Sequence, residues 1–71
     1  MKIKERIKEL RIKNNITQKQ LANAVAITEI AVSRYELGVR TPTLENAAAL
    51  ADYFDVSLDY LVGRSDNPKR L

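Results

Sequence analysis

The chain has 71 residues, no cysteine, no histidine and no tryptophan, with 12 Lys/Arg against 9 Asp/Glu. A chain this short buries only about 60% of the surface it exposes when unfolded, which leaves little room for a deep catalytic cleft, and the missing thiols and imidazoles exclude disulfide stapling, Ser-His-Asp catalysis and the usual zinc sites. The charge is lopsided: residues 1–40 carry nine basic side chains and four acids, residues 41–71 three and five, so a polyanion would dock on the amino-terminal half.

Ile3, Ile7 and Leu10 recur at helical spacing among Lys2, Lys4, Arg6, Lys8 and Lys13. They predict an amphipathic first helix ending near Asn14-Asn15, with its basic side in solvent. A basic helix face of this kind is ordinarily a matter of solubility. Charges fall every two or three residues here instead of forming an apolar signal core, and no uncharged stretch is long enough to span a bilayer, so a cytoplasmic protein without a membrane segment is expected.

Thr17 and Gln20 have the spacing of a capping box, which starts a short second helix running to Ala24 or Val25. Only Ala26 and Ile27 then precede Thr28, a further cap. Ile30, Ala31, Val32, Tyr35 and Leu37 continue helically to Gly38, the natural carboxyl cap. Two helices this short, joined this tightly, cannot stack side by side and must cross steeply, as in a helix-turn-helix. Ala22 suits the crossing because a larger side chain would hold the backbones apart.

Pro42 keeps Thr41 out of helical geometry and sits just ahead of Thr43, a cap for the fourth helix, whose apolar residues are Leu44, Ala47, Ala48, Leu50, Ala51 and Phe54. Ser57 caps a last short helix from Leu58 to Val62, closed by Gly63. The sum is five helices and no strand, an all-α domain over 1–63. Residues 64–71 include a proline and have little to bury, so they predict a flexible tail or the stump of a linker.

Arg11, Thr17-Gln18, Leu21-Ala22, Ile27, Val32-Ser33-Arg34-Tyr35-Glu36, Gly38, Pro42 and Leu44-Glu45 resemble the Cro/C1-type (Xre) helix-turn-helix repressors. Leu50-Ala51-Asp52-Tyr53-Phe54, Val56 to Leu61 and Gly63 are similar to that family's fourth and fifth helices. The resemblance covers about residues 3–64. It implies a compact lambda-repressor-like fold and a sequence-specific transcriptional regulator of double-stranded DNA, a repressor, with no cofactor. It further implies a homodimer whose recognition helices, residues 28–37, enter successive major grooves about 34 Å apart on a near-palindromic operator.

The resemblance also distributes roles. Thr17, Gln18, Arg40 and Thr43 would hold phosphates, contacts that give affinity without sequence information. Tyr35 is open between core packing and a phosphate contact through its hydroxyl. Base reading falls to Glu29, Ile30, Ser33 and Arg34, of which Arg34 is the best reader because a guanidinium pairs bidentately with guanine O6 and N7. Glu29 and Ile30 depart from the family's usual Gln, Arg, Ser or Thr. The alternative for them is a pair within the protein for Glu29 and packing for Ile30. Ala26 stands where glycine is usual and should take positive φ, while Leu37 and Val39 replace common polar or basic residues. Arg11 and Glu36 match positions that form an internal ion pair.

Tyr53, Leu58, Tyr60, Leu61 and Val62 would form the dimer interface, or else a surface for another protein such as a toxin or an anti-repressor. Catalysis is not expected, since the sequence holds no Gly-rich phosphate loop, metal-ligand cluster or nucleophile-base pair.

Overall fold

In a computed structural model, which describes residues 2–70, the chain forms five helices: α1 (Ile3–Lys13), α2 (Gln18–Ala24), α3 (Glu29–Leu37), α4 (Leu44–Phe54) and α5 (Leu58–Val62). No strand occurs among the described residues. Met1 and Leu71, the outer ends of the expected 1–63 domain and 64–71 tail, lie outside them.

Four of the five helix starts follow one rule, α1 being the exception with no side-chain cap at Lys2. Thr17, Thr28, Thr43 and Ser57 each have extended backbone and accept, through the side-chain oxygen, the amide of the residue three positions on. At α2 the bond is reciprocated: Thr17 N donates to Gln20 Oε1 at 2.8 Å and Gln20 N to Thr17 Oγ1 at 3.0 Å. The helix ends follow another rule, a left-handed residue after the last turn. Asn15, Ala26, Gly38, Asp55 and Gly63 take φ of 56°, 58°, 77°, 56° and 86°. At Ala26 the turn is closed by Ile27 N donating to Ala22 O at 3.0 Å; it has neither glycine's missing Cβ nor the short polar side chain of Asn15 and Asp55, which makes it the strained member of the set.

The core is one cluster contributed by all five helices, with Ile7, Leu21, Val32, Leu50 and Leu61 wholly buried. Ala22 is buried where α2 crosses α3. Pro42 is buried too, which fixes the loop leading into α4. Gly63 lets the end of α5 touch the start of α1, since a Cβ there would lie 2.7 Å from the Lys2 backbone nitrogen.

Three features differ from the sequence reading. Arg6 is not on the solvent face of α1 but 8% exposed. Its guanidinium lies 3.8 Å from the Tyr60 ring centroid and donates to Tyr60 O, Ser65 O and Asp66 Oδ1 at 2.9, 3.1 and 2.9 Å. Three matched acceptors and an aromatic face make its burial tolerable. Residues 64–70, expected as a flexible tail or the stump of a linker with little to bury, lie back along the domain: Ser57 N donates to Pro68 O at 2.9 Å, and Arg70 donates to Ala51 O and Asp52. Leu44, assigned to the apolar face of α4, is exposed instead, because it directly follows the Thr43 cap and projects past the edge of the core.

Candidate nucleic-acid interface

The outward side of α3 and the start of α4 enclose a cleft of about 360 Å³ lined by Ile27, Thr28, Ile30, Ala31, Arg34, Tyr35, Arg40, Thr41, Thr43 and Asn46. Thr28 and Thr43 point the first turns of α3 and α4 toward this side, where unpaired backbone amides and the positive helix end favour an anion. Two guanidiniums line the cleft and no carboxylate does.

Ile30 and Arg34, one helical turn apart on α3, are both exposed, with Ile30 at 64%. The packing alternative for Ile30 therefore does not hold in this chain: its side chain faces outward. Glu29 is exposed, and among the described residues it joins no ion pair, so the internal-pair alternative fails as well. It lies over the α1–α2 turn, in a second concavity shared with Ile12, Ile16 and Gln18. Ser33 is half-buried, and Arg40 is exposed in the loop before Pro42. Leu37 and Val39 flank Gly38 and are largely exposed.

Behind this surface sits a charged brace. Arg11 Nε donates to Glu36 Oε2 at 2.7 Å and Arg11 Nη2 to Glu36 Oε1 at 3.1 Å, while Arg11 Nη1 donates to Ile16 O at 3.0 Å. The Glu36 hydrogen bond raises the Arg11 pKa further above neutrality, assisted by the carboxylate's charge and opposed by burial. Gln18 joins the brace, its Nε2 donating to Glu36 Oε1 at 3.3 Å. One amide proton of Gln18 is thus engaged internally and the other is left for an outside acceptor. Thr17 is exposed, with its oxygen engaged in the cap.

Tyr35 is 4% exposed, and its hydroxyl accepts from Asn46 Nδ2 at 3.1 Å. The ring therefore packs in the core while the oxygen reaches the cleft. Asn46 is a cleft residue that the sequence reading missed, because nothing in its spacing distinguishes it from a first-turn polar residue. Arg6 was missed despite a signal, since position 6 lies on the same helical stripe as Ile3, Ile7 and Leu10.

The residues assigned to a dimer interface separate by exposure. Tyr53 is exposed and meets Phe54 edge-on at 5.3 Å, while Leu58, Tyr60 and Val62 are half-buried. Leu61 must be withdrawn from the set: it is wholly inside the core and has no surface to offer a partner. Among the described residues there is no group of three or more acidic side chains arranged to hold a metal, and no helix is long and apolar enough to cross a membrane.

The chain is similar in sequence and fold to known proteins. The chain is 42% identical over 64 residues to the cryptic phage CTXphi transcriptional repressor RstR of Vibrio cholerae serotype O1, covering 90% of this chain and 57% of that protein. It is 42% identical over 60 residues to the transcriptional regulator AnsR of Bacillus subtilis, covering 84% and 52% respectively. The chain thus spans little more than half the length of these two relatives. Among solved structures, the P22 c2 repressor in complex with a synthetic operator superposes with a TM-score of 0.80 at 36% identity, over 83% of this chain and 89% of that one. The amino-terminal DNA-binding domain of SinR from Bacillus subtilis matches with the same TM-score at 24% identity, a likeness of fold. The helix-turn-helix family model matches residues 7–61, and with these relatives it establishes that the chain belongs to the Cro/C1-type (Xre) helix-turn-helix family.

Proposed function

We propose that the chain is a sequence-specific double-stranded DNA-binding regulator of transcription, a repressor, which places α3 in the major groove. The observation that carries this reading is the paired exposure of Ile30 and Arg34 on one face of α3, beside a cleft lined by Arg34 and Arg40 and by no acid. Arg34 reads a guanine, Ile30 meets a thymine methyl, and Glu29 accepts from cytosine N4. Ser33 contributes at the rim. Gln18, Thr17, Arg40, Thr43 and the Tyr35 hydroxyl hold the backbone and set the register. The P22 c2 repressor, captured on a synthetic operator, and RstR, a phage repressor, support the same use of this fold.

The domain is 29 Å in its longest dimension, so one copy covers about one turn of duplex. A near-palindromic operator with half-sites about 34 Å apart therefore needs two copies. Tyr53, Leu58, Tyr60 and Val62 form the surface on which a second copy docks. The same surface suits a toxin or an anti-repressor, and the oligomeric state on DNA separates these uses.

Selection of binding sites from random duplex DNA at two salt concentrations, with protein of known oligomeric state, tests the reading. Recovery of two half-sites spaced near one helical turn is the expected result. No enrichment of any duplex at low salt would move the interaction-module reading to first place.

A further inference from the structure

We infer that Asn46 is the positioning residue that turns the Tyr35 hydroxyl into a hydrogen-bond donor aimed across the α3–α4 cleft at one backbone phosphate of duplex DNA. The inference rests on the DNA-binding reading above and adds a residue to it.

A phenol has one proton and can also accept. Asn46 Nδ2 donates to the Tyr35 oxygen at 3.1 Å, and among the described residues none accepts the hydroxyl proton. Tyr35 and Asn46 both line the cleft, whose charged lining residues are Arg34 and Arg40 alone. Asn46 is itself held in place, its backbone amide donating to Thr43 Oγ1 at 3.1 Å in the first turn of α4. A side-chain amide carried by α4 thus occupies one acceptor position of an oxygen carried by α3, and the hydroxyl proton is left for an acceptor in the cleft. Donation into the oxygen polarises the hydroxyl and makes it the better donor, which suits an anionic acceptor.

The variants separate donor from packing. Tyr35→Phe removes the hydroxyl and keeps the ring. Asn46→Asp keeps the shape but reverses the bond: a carboxylate accepts from the phenol hydroxyl, engages its proton within the protein and adds negative charge to the cleft. An acid in the first turn is favourable to a helix, so α4 stays folded in this variant. Asn46→Ala leaves the hydroxyl free to turn either way.

Binding of each variant of the whole chain is measured on a duplex recovered by random selection, and on copies of that duplex carrying one neutral methylphosphonate at each backbone position in turn. Thermal unfolding of every variant checks its fold. Tyr35→Phe and Asn46→Asp each lose about tenfold in affinity, and Asn46→Ala about threefold. Tyr35→Phe with Asn46→Ala loses no more than Tyr35→Phe alone, and at one methylphosphonate position Tyr35→Phe and the parent bind equally. Wild-type affinity in both Asn46 variants overturns the inference, as does a Tyr35→Phe loss that persists at every neutralised phosphate, since the hydroxyl then acts through packing. Selection that recovers no duplex at all defeats the DNA-binding reading itself, and the inference falls with it.

Discussion

Two arginines of α1 are turned away from solvent, Arg6 buried and Arg11 half-buried, and they are held in different ways. Arg11 meets Glu36 through two hydrogen bonds, with side chains 16% and 4% exposed, so both charges are sheltered. Arg6 meets Asp66 through one, with side chains 9% and 88% exposed, and takes its remaining support from two backbone carbonyls and the Tyr60 ring. The first pair binds α1 to the end of α3 and reaches Gln18; the second binds α1 to α5 and the residues after it. The contrast teaches that an ion pair's worth depends on what each partner faces once the other is gone. A lone Arg11 or Glu36 would be a charge in a sheltered site, whereas Asp66 without Arg6 would simply be hydrated.

Breaking the sheltered pair should have the largest effect. Glu36→Ala is expected to cost about 3 kcal/mol, a large share of what holds a domain of this size, and to lower the melting temperature by on the order of 15 °C. Calorimetric melting checks it, and a loss near that of an ordinary surface pair would show that the two ion pairs do not differ in kind. Arg6→Ala should cost about 2 kcal/mol, because it strips three hydrogen bonds and a cation–π contact while the carbonyls of Tyr60 and Ser65 become accessible to water. Urea unfolding gives this value, and limited proteolysis after Gly63 should quicken in step with it.

A backbone effect without charge provides a smaller reference. Ala26→Gly relieves left-handed strain but frees the unfolded chain, for a net gain of about 0.5 kcal/mol; a loss of stability would show that the Ala26 methyl packs usefully. Asp66→Ala should fall at the bottom of the series, at about 0.3 kcal/mol, since its carboxylate is mostly in water. Were Asp66→Ala to match Arg6→Ala, the pair itself, and not the carbonyls and the ring, would be what holds Arg6.

The helices were legible because their boundaries are local. Thr17, Thr28, Thr43 and Ser57 announce starts, and Gly38 and Gly63 announce ends, through bonds made within a few residues. The strained Ala26 was legible only through the family resemblance, for alanine itself gives no sign of positive φ. What spacing could not convey was long-range matching. Arg6 lies between Ile3 and Ile7 in a pattern that reads equally as a charge escaping to solvent, and its acceptors come from far along the chain, at Tyr60 in α5 and at residues 65–66. The turn of the chain after Gly63 was illegible for the same reason, since its bonds reach back to Ser57, Ala51 and Asp52. In the candidate interface, the exposure of Ile30 and Arg34 follows from helical periodicity, while the bond between Tyr35 and Asn46 spans two helices and has no local signature.

The central claim is that α3 reads bases while its surroundings hold phosphates, and site selection repeated with Arg34→Ala and Arg40→Ala tests it most directly. Arg34→Ala should flatten the preference at one position in each half-site, at about 1–3 kcal/mol of lost discrimination, whereas Arg40→Ala should weaken all duplexes alike and lower the salt slope by about one unit. An Arg34→Ala protein that bound every duplex more weakly yet selected the same sequence would contradict the claim.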